Sequence, residues 1–225
     1  MSAEQHPAND HDVLVRTLGR TDFEATWRAM REFTAARTPA SQDEIWLTEH
    51  APIYTVGLAG KPEHFPREST SIPIVRTDRG GQITYHGPGQ AVVYTLFDLR
   101  RLRLGVRDFV RRLEAAMIAM LDAQGIAAHG KVDAPGVYVV REGVEAKIGA
   151  LGLKVRNGCT YHGLALNVDM DLSPFAAINP CGYPGLAVTQ MRDFGATPEL
   201  AAAGAAIATM LCRQLVDYGP NSVPR

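Results

Sequence analysis

The sequence predicts an α+β fold, a mixed or antiparallel sheet with flanking helices. Three observations predict it. Apolar residues recur at helical spacing in only three segments, two long and one shorter. Short β-branched and aromatic runs fill much of the remainder. Several neighbouring runs are joined by connections too short for a helical crossover, which argues against a regular βαβ array.

Taken in order, Met1–Asp12 is polar and is expected to be a loose tail. Val13–Leu18 has the character of a first strand. Thr21-Asp22-Phe23-Glu24 has the pattern of a capping box, so Thr21 is expected to open a helix. Phe23, Trp27, Met30 and Phe33 form its apolar stripe, and Pro39 lies beyond its end. Ile45–Glu49 and Ile53–Val56 follow as strands, Gly57–Ser71 as an irregular loop, and Ile72–Arg76 as another strand. Ala91–Leu99 is the most strand-like run of the chain. Val106–Gly125 is the clearest helix, with Val106, Phe109, Val110, Leu113, Met117, Met120 and Leu121 on one face and Gly125 at its stop. Val137–Val140, Ala146–Val155 and His162–Val168 are strands joined by turns. Thr197–Tyr218 closes the chain as an Ala-rich helix, with Pro198 in its first turn and Gly219-Pro220 after it. The tail from Asn221 is expected to be loose. No repeat or linker divides the 225 residues, so one domain over 1–225 is expected.

Composition narrows the function. Lys plus Arg is 23 and Asp plus Glu is 24, a net charge of −1, which gives no electrostatic case for a nucleic-acid surface. Three cysteines without a CxxC pair make a disulfide framework improbable and a reducing compartment the default. No apolar run approaches a membrane span, and Met1–Asp12 has no apolar core for a signal peptide, so a cytoplasmic protein is expected.

Four segments carry more than fold. The first is Arg79-Gly80-Gly81-Gln82-Ile83-Thr84-Tyr85-His86-Gly87-Pro88-Gly89-Gln90. Its glycines allow close backbone approach to a ligand, though a Gly-rich hairpin loop explains the same residues. It matches neither GxGxxG nor GxxxxGK[ST], so a nucleotide fingerprint is unsupported. The second is Ala146-Lys147-Ile148-Gly149-Ala150-Leu151-Gly152. A regular pleat puts Lys147, Gly149 and Leu151 on one face. Lysines are almost never buried unpaired, so from this strand alone a solvent-exposed Lys147 is expected, with a ligand pocket as the rival position. The third runs from Asn157 to Val168 and contains His162, Gly163, Leu164 and Ala165; Asn157-Gly158 is a hairpin signal that folds it back beside the Lys147 strand. Cys159-x-x-His162 supplies two metal-type ligands and no second pair, so no metal is expected. The fourth, Asn179-Pro180-Cys181-Gly182-Tyr183-Pro184-Gly185, holds a cysteine in a tight turn, where a thiol faces solvent. A nucleophilic thiol must ionise, and a nearby cation favours that; Lys147 is the leading candidate for it. Cys212, on the last helix, fits a small core hydrophobe.

In this order the segments closely resemble the lipoate-biosynthesis octanoyltransferases, the octanoyl-[acyl-carrier-protein]:protein N-octanoyltransferase family. The matching pieces are RGGQITYHGPGQ at 79–90, AKIGALG at 146–152, HGLALNVD at 162–169 and NPCGY at 179–183, with Val188-Thr189 after it. Two departures are small: Gly149 stands where alanine is common in the lysine motif, and the first twelve residues are an extension.

The resemblance implies a fold shared with biotin and lipoate protein ligases, the class II synthetase-like fold. It implies transfer of an octanoyl group from acyl carrier protein to a lysine of lipoyl domains of 2-oxoacid dehydrogenases and of glycine-cleavage H protein, the first step of endogenous lipoate biosynthesis. No cofactor is implied. The acyl-thioester cysteine falls on Cys181, its partner lysine on Lys147, and the acyl-binding backbone on Arg79–His86, Ala150–Gly152 and Gly163–Ala165. The chemistry is consistent. A cysteine of ordinary pKa is only a few per cent thiolate at neutral pH, and a close ammonium raises that fraction. Thioester exchange is nearly isoenergetic and needs no ATP. Backbone N–H groups near Gly163–Ala165 are candidate oxyanion donors. An ATP-dependent lipoate or biotin protein ligase is the rival; no GRGRxG loop is present, and it would leave Cys181 and Lys147 unexplained. A non-catalytic acyl-binding module and a cysteine hydrolase using His86 or His162 are more distant rivals. Acyl carrier proteins are acidic, so the arginine clusters at 100–107 and 111–112 are candidate docking residues, with a solvated helix face as the plain explanation.

Overall fold

A computed structural model describes residues 13–66, 70–178 and 186–216. The N-terminal stretch, the Cys181 turn and the tail from Asn221 lie outside them. The strands are β1 (Val13–Thr21), β2 (Asp43–His50), β3 (Ile53–Val56), β4 (Ile74–Arg76), β5 (Ile83–His86) and β6 (Gln90–Leu96). They continue as β7 (Ala128–Gly130), β8 (Val137–Arg141), β9 (Val144–Arg156), β10 (Cys159–Asn167) and β11 (Ala187–Val188). The α-helices are α1 (Phe23–Ala36), α2 (Val106–Asp122), α3 (Ser173–Ala176) and α4 (Leu200–Val216).

The large sheet has the order β1-β2-β6-β10-β9-β8-β7, with β11 also on β9. Only β1–β2 and β11–β9 are parallel in it, so the sheet is mixed, as the short connections imply. A small sheet, β4-β3-β5, carries part of the glycine-rich segment. The hairpin at Asn157-Gly158 forms as predicted: both residues have positive φ, 50° and 75°, the requirement of a type I′ turn.

Helices cover both faces of the large sheet. On one side Phe109, Leu113, Ala116, Met117, Met120 and Leu121 of α2 pack with Ile207 and Leu211 of α4 and with Val93, Ile148, Leu164 and Leu166 of the sheet. Each large apolar side chain so buried contributes about 1.5–3 kcal/mol. On the other side Met30 of α1 packs with Trp46, Val92, Tyr94 and Tyr161. The small sheet has its own core of Tyr54, Val56, Ile83 and Tyr85 with Phe175 and Ile178.

Several sequence expectations need correction. Asp22, not Thr21, caps α1: its Oδ1 accepts from Ala25 N–H at 2.8 Å, while Thr21 ends β1. The glycine-rich segment is not one loop, because Ile83–His86 pairs with β3. The last helix starts at Leu200, after Pro198 rather than around it. The pleat of β9 is irregular, since its pairing with β8 shifts register across Ile148.

Candidate active site

The pocket-facing side of the large sheet is set by strand alternation. Ala150 of β9, Ala165 of β10 and Val92 of β6 stand in one row, each paired with the next. Gly152, Gly163 and Tyr94 form the next row. Over these rows lie Arg79–Gly81, β5 and the first turn of α1, and the space between is a pocket of about 560 Å³ including its mouth. Arg79, Gly81, Gln82, Ile83, Thr84 and His86 line it from above; Ala150, Leu151, Gly152, Gly163, Leu164 and Ala165 line it from the sheet. Twelve residues singled out by the resemblance therefore meet at one cavity.

Two do not line it. Gly80 instead donates its N–H to Leu153 O at 2.8 Å, tying the loop to β9. Tyr85 turns into the core of the small sheet, with its ring 5.6 Å from Tyr54 and 5.5 Å from Phe175. Three lining residues carry no motif signal, Phe23, Val92 and Tyr94; a fourth, His162, opens the HGLALNVD piece but lies outside the acyl-binding backbone the resemblance implies. Phe23 reads as an ordinary stripe residue of an amphipathic helix, and Val92 and Tyr94 as strand core, so only their packing reveals them.

The loop is held by buried charge. Arg79 donates to Thr55 O at 2.6 Å, to Thr55 Oγ1 at 2.9 Å and to Gly80 O at 2.9 Å. A Cβ on Gly57 would stand 2.3 Å from Gly81 O, so glycine is needed for the loop to fold back on β3. Asp78 accepts from Trp27 Nε1 at 2.9 Å, from His162 Nε2 at 3.1 Å and from Tyr161 OH. Burial pushes its pKa up, but these donors outweigh that and hold it well below the usual carboxylate range. His162 has a φ of 63°, a strained conformation that Asp78 helps to fix.

The three histidines of this region are neutral. Burial pushes His86 down to about 3 and lowers His50 and His162. Gln90 Nε2 donates to Asn167 Oδ1 at 2.9 Å, which leaves Gln90 Oε1 to accept from His86 Nδ1 at 2.6 Å. Asn167 Nδ2 continues the chain to Thr189 O at 2.9 Å. Thr189 N–H donates to Lys147 O at 3.0 Å. A hydrogen-bond path thus runs from the pocket to the backbone of Lys147.

Lys147 is buried, 4% exposed, against the expectation of a solvent position. Its Nζ donates to Pro135 O at 3.2 Å and lies 5.1 Å from the centre of the Tyr138 ring. Glu114, whose pKa burial raises, lies within electrostatic reach. Lys147 precedes the pocket-lining Ala150 by three residues of β9, about 10 Å along the strand. Beside it β11 runs in register, Ala187 with Ala146 and Val188 with Lys147. Cys181 lies outside the described residues, seven positions before Val188 in sequence. The other two cysteines are poor nucleophiles: burial raises the pKa of both Cys159 and Cys212. Cys159 Sγ sits 3.9 Å from Arg100 Nη2, while His162 is taken by Asp78, so the two do not form a pair.

Two further corrections concern donors. Gly163–Ala165 is flanked by β9 and by β6, so its N–H groups are committed to the ladder and cannot serve an oxyanion. Among the described residues, β9 pairs with β8 only as far as Gly149, and beyond it Leu153 O accepts from Gly80 N–H. Of the arginines, Arg112 is buried and donates to Gln214 O at 2.6 Å, Arg100 pairs with Asp98 at 3.0 Å, and Arg101 pairs with Asp43 at 2.6 Å. Arg107 and Arg111 are exposed on α2. With Lys131, Val132 and Pro135 they line a groove that reaches the carbonyl accepting from Lys147.

The family model described as the lipoyl protein ligase A/B catalytic domain matches residues 22–211, which include every pocket-lining residue. An octanoyltransferase of Chromobacterium violaceum is 57% identical over 202 residues, 90% of this chain and 95% of that protein. The chain belongs to the octanoyltransferases. It is an acyltransferase that moves octanoyl groups in lipoate biosynthesis. The fold of this octanoyltransferase is that of the ligases. A lipoate protein ligase from Thermoplasma acidophilum with bound lipoic acid aligns at TM-score 0.69 with 16% identity, covering 90% of this chain and 85% of that one. Biotin protein ligase from Aquifex aeolicus in complex with biotin and ATP aligns at 0.55 with 8% identity, covering 93% and 72%.

Proposed function

We propose that the octanoyl donor is octanoyl-acyl carrier protein, that the acyl group passes through a thioester on Cys181, and that Lys147 is the cation that ionises this thiol. The acceptor is a lysine of lipoyl domains of 2-oxoacid dehydrogenases and of glycine-cleavage H protein. The observation that carries the reading is the placement of a buried lysine on the strand that also floors the acyl pocket, with β11 in register beside it.

The Cys181 thiolate attacks the donor thioester carbonyl. A carbon–sulfur bond forms to Cys181, the bond to the carrier sulfur breaks, and the carrier thiolate leaves and takes up a proton. The neutral amine of the acceptor lysine then attacks, a carbon–nitrogen bond forms, and the Cys181 thiolate is released. Lys147, having given its proton to the departing thiolate, accepts the one lost by the amine. Mostly apolar walls keep water from the thioester. The carrier approaches along α2, where the groove at Arg107 and Arg111 leads to Pro135 beside Lys147.

Intact-protein mass after incubation with octanoyl-acyl carrier protein, without ATP, tests this. A hydroxylamine-labile octanoyl adduct is expected on the native protein, absent from Cys181→Ser and slow to form on Lys147→Ala. No adduct, with modification of a lipoyl domain only when ATP and free octanoate are supplied, overturns it in favour of a ligase.

A further inference from the structure

We infer that Phe23, the first residue of α1, is the end wall of the acyl slot and sets the chain length the enzyme accepts. The inference rests on the reading that this pocket holds the octanoyl chain.

Burial gives the slot a direction. Gly81 is exposed, and Gln82, Thr84, Ala150, Leu151 and Gly152 are half-buried, so the mouth lies at β9. Phe23, His86, Val92, Tyr94 and His162 are all buried and form the blind end. Between them run Ala150, Ala165 and Val92, on three adjacent strands. Two inter-strand steps make about 10 Å. Seven carbon–carbon bonds of about 1.5 Å, each advancing roughly 1.25 Å along an extended chain, span about 9 Å. An eight-carbon chain therefore just fills the row.

Past Val92 stands Phe23. Its ring lies 5.4 Å from that of His50 at the end of β2, edge to face. It stacks 6.2 Å from His86 of β5, with 13° between the planes. It thus bridges the large sheet to the small one and shuts the slot. Polar atoms around it are paired within the protein: Tyr94 OH meets His50 Nε2 at 2.6 Å, His86 Nδ1 meets Gln90, and His162 Nε2 meets Asp78. The blind end therefore presents ring faces, an apolar stop for a methyl terminus.

The test compares octanoyl, decanoyl and dodecanoyl thioesters of the carrier as donors to a lipoyl domain, for the native protein, Phe23→Ala and Phe23→Leu. Phe33→Ala, on the same helix against Trp46 at 5.9 Å, is the structural control. Two more buried methylenes should raise the decanoyl-to-octanoyl ratio of kcat/KM roughly ten-fold in Phe23→Ala, less in Phe23→Leu, and leave it unchanged in Phe33→Ala. An unchanged ratio in folded Phe23→Leu and Phe23→Ala, or an equal shift in Phe33→Ala, overturns the assignment. Calorimetric binding of free octanoate, decanoate and dodecanoate gives the same ratio without a donor. If no carrier thioester reacts with the native protein, the donor reading fails, and the fatty-acid affinities still decide the role of Phe23.

Discussion

Two glycines, Gly163 in the pocket's lining and Gly149 next to the lining Ala150, illustrate how unequal single residues are. A Cβ on Gly163 would stand 2.0 Å from Val93 O, the backbone of the neighbouring strand. A Cβ on Gly149 would stand 2.1 Å from Met117 Sδ, the tip of a flexible side chain. Backbone in the middle of a sheet cannot retreat, whereas a methionine can change rotamer. Gly163→Ala is expected to cost about 3 kcal/mol or more, because β6 and β10 must part; Gly149→Ala is expected to cost about 1 kcal/mol or less. Urea unfolding of both variants checks this, and equal losses would contradict it. Lys147 teaches a related lesson. Its strand alone suggested an exposed ammonium, but Tyr138 and Pro135, brought over it by the fold, bury it.

At the scale of the element, α2 does two jobs with opposite faces. Its inner face fills the core, and Arg112, although charged, belongs there through Gln214. Its outer face carries Arg107 and Arg111 at the groove that ends near Lys147. Acidic carriers meet such a surface mainly through association, so Arg107→Glu with Arg111→Glu should raise KM for the carrier several-fold, increasingly at low salt, with kcat little changed. Steady-state kinetics with the carrier varied decides it; an unchanged KM removes α2 from the docking surface. Sequence could find the arginines but not sort them. Positions 107, 111 and 112 fall close together along the helix, and the packing of α4 shows which is inside.

For the whole molecule, the cluster of neutral histidines makes stability depend on pH. His86 is held near 3, and His50 and His162 are lowered too, while in the unfolded chain each binds a proton near 6.5. Between about pH 3 and pH 6.5 the unfolded chain therefore binds more protons than the native state, so stability rises with pH across that window and is lost as pH falls through it. The pKa of Asp78 is lowered as well, so its contribution has the same sign, but it is lost only below the ordinary carboxylate range and adds little slope above pH 5. The melting temperature should fall steadily from pH 7 to pH 5, and His86→Gln should flatten that slope. A melting temperature independent of pH over this range would mean that the imidazoles are not kept neutral.

Sequence by itself determined the elements and the chemistry. Periodicity located α1, α2 and α4 to within a few residues, and Asn157-Gly158 specified the hairpin, because these signals are local and a few neighbouring residues contain them. The glycine-rich, lysine and HGLALNVD motifs together named twelve of the pocket's residues because a backbone that must approach a ligand tolerates few substitutes. What tertiary structure alone decided is non-local. The closing of the slot by Phe23, the burial of Lys147, the neutrality of three histidines and the commitment of the Gly163–Ala165 amides to the ladder each depend on a second element brought from far along the chain. A side chain's type is written at its own position; its burial, its partners and its charge state are set by neighbours that only folding supplies.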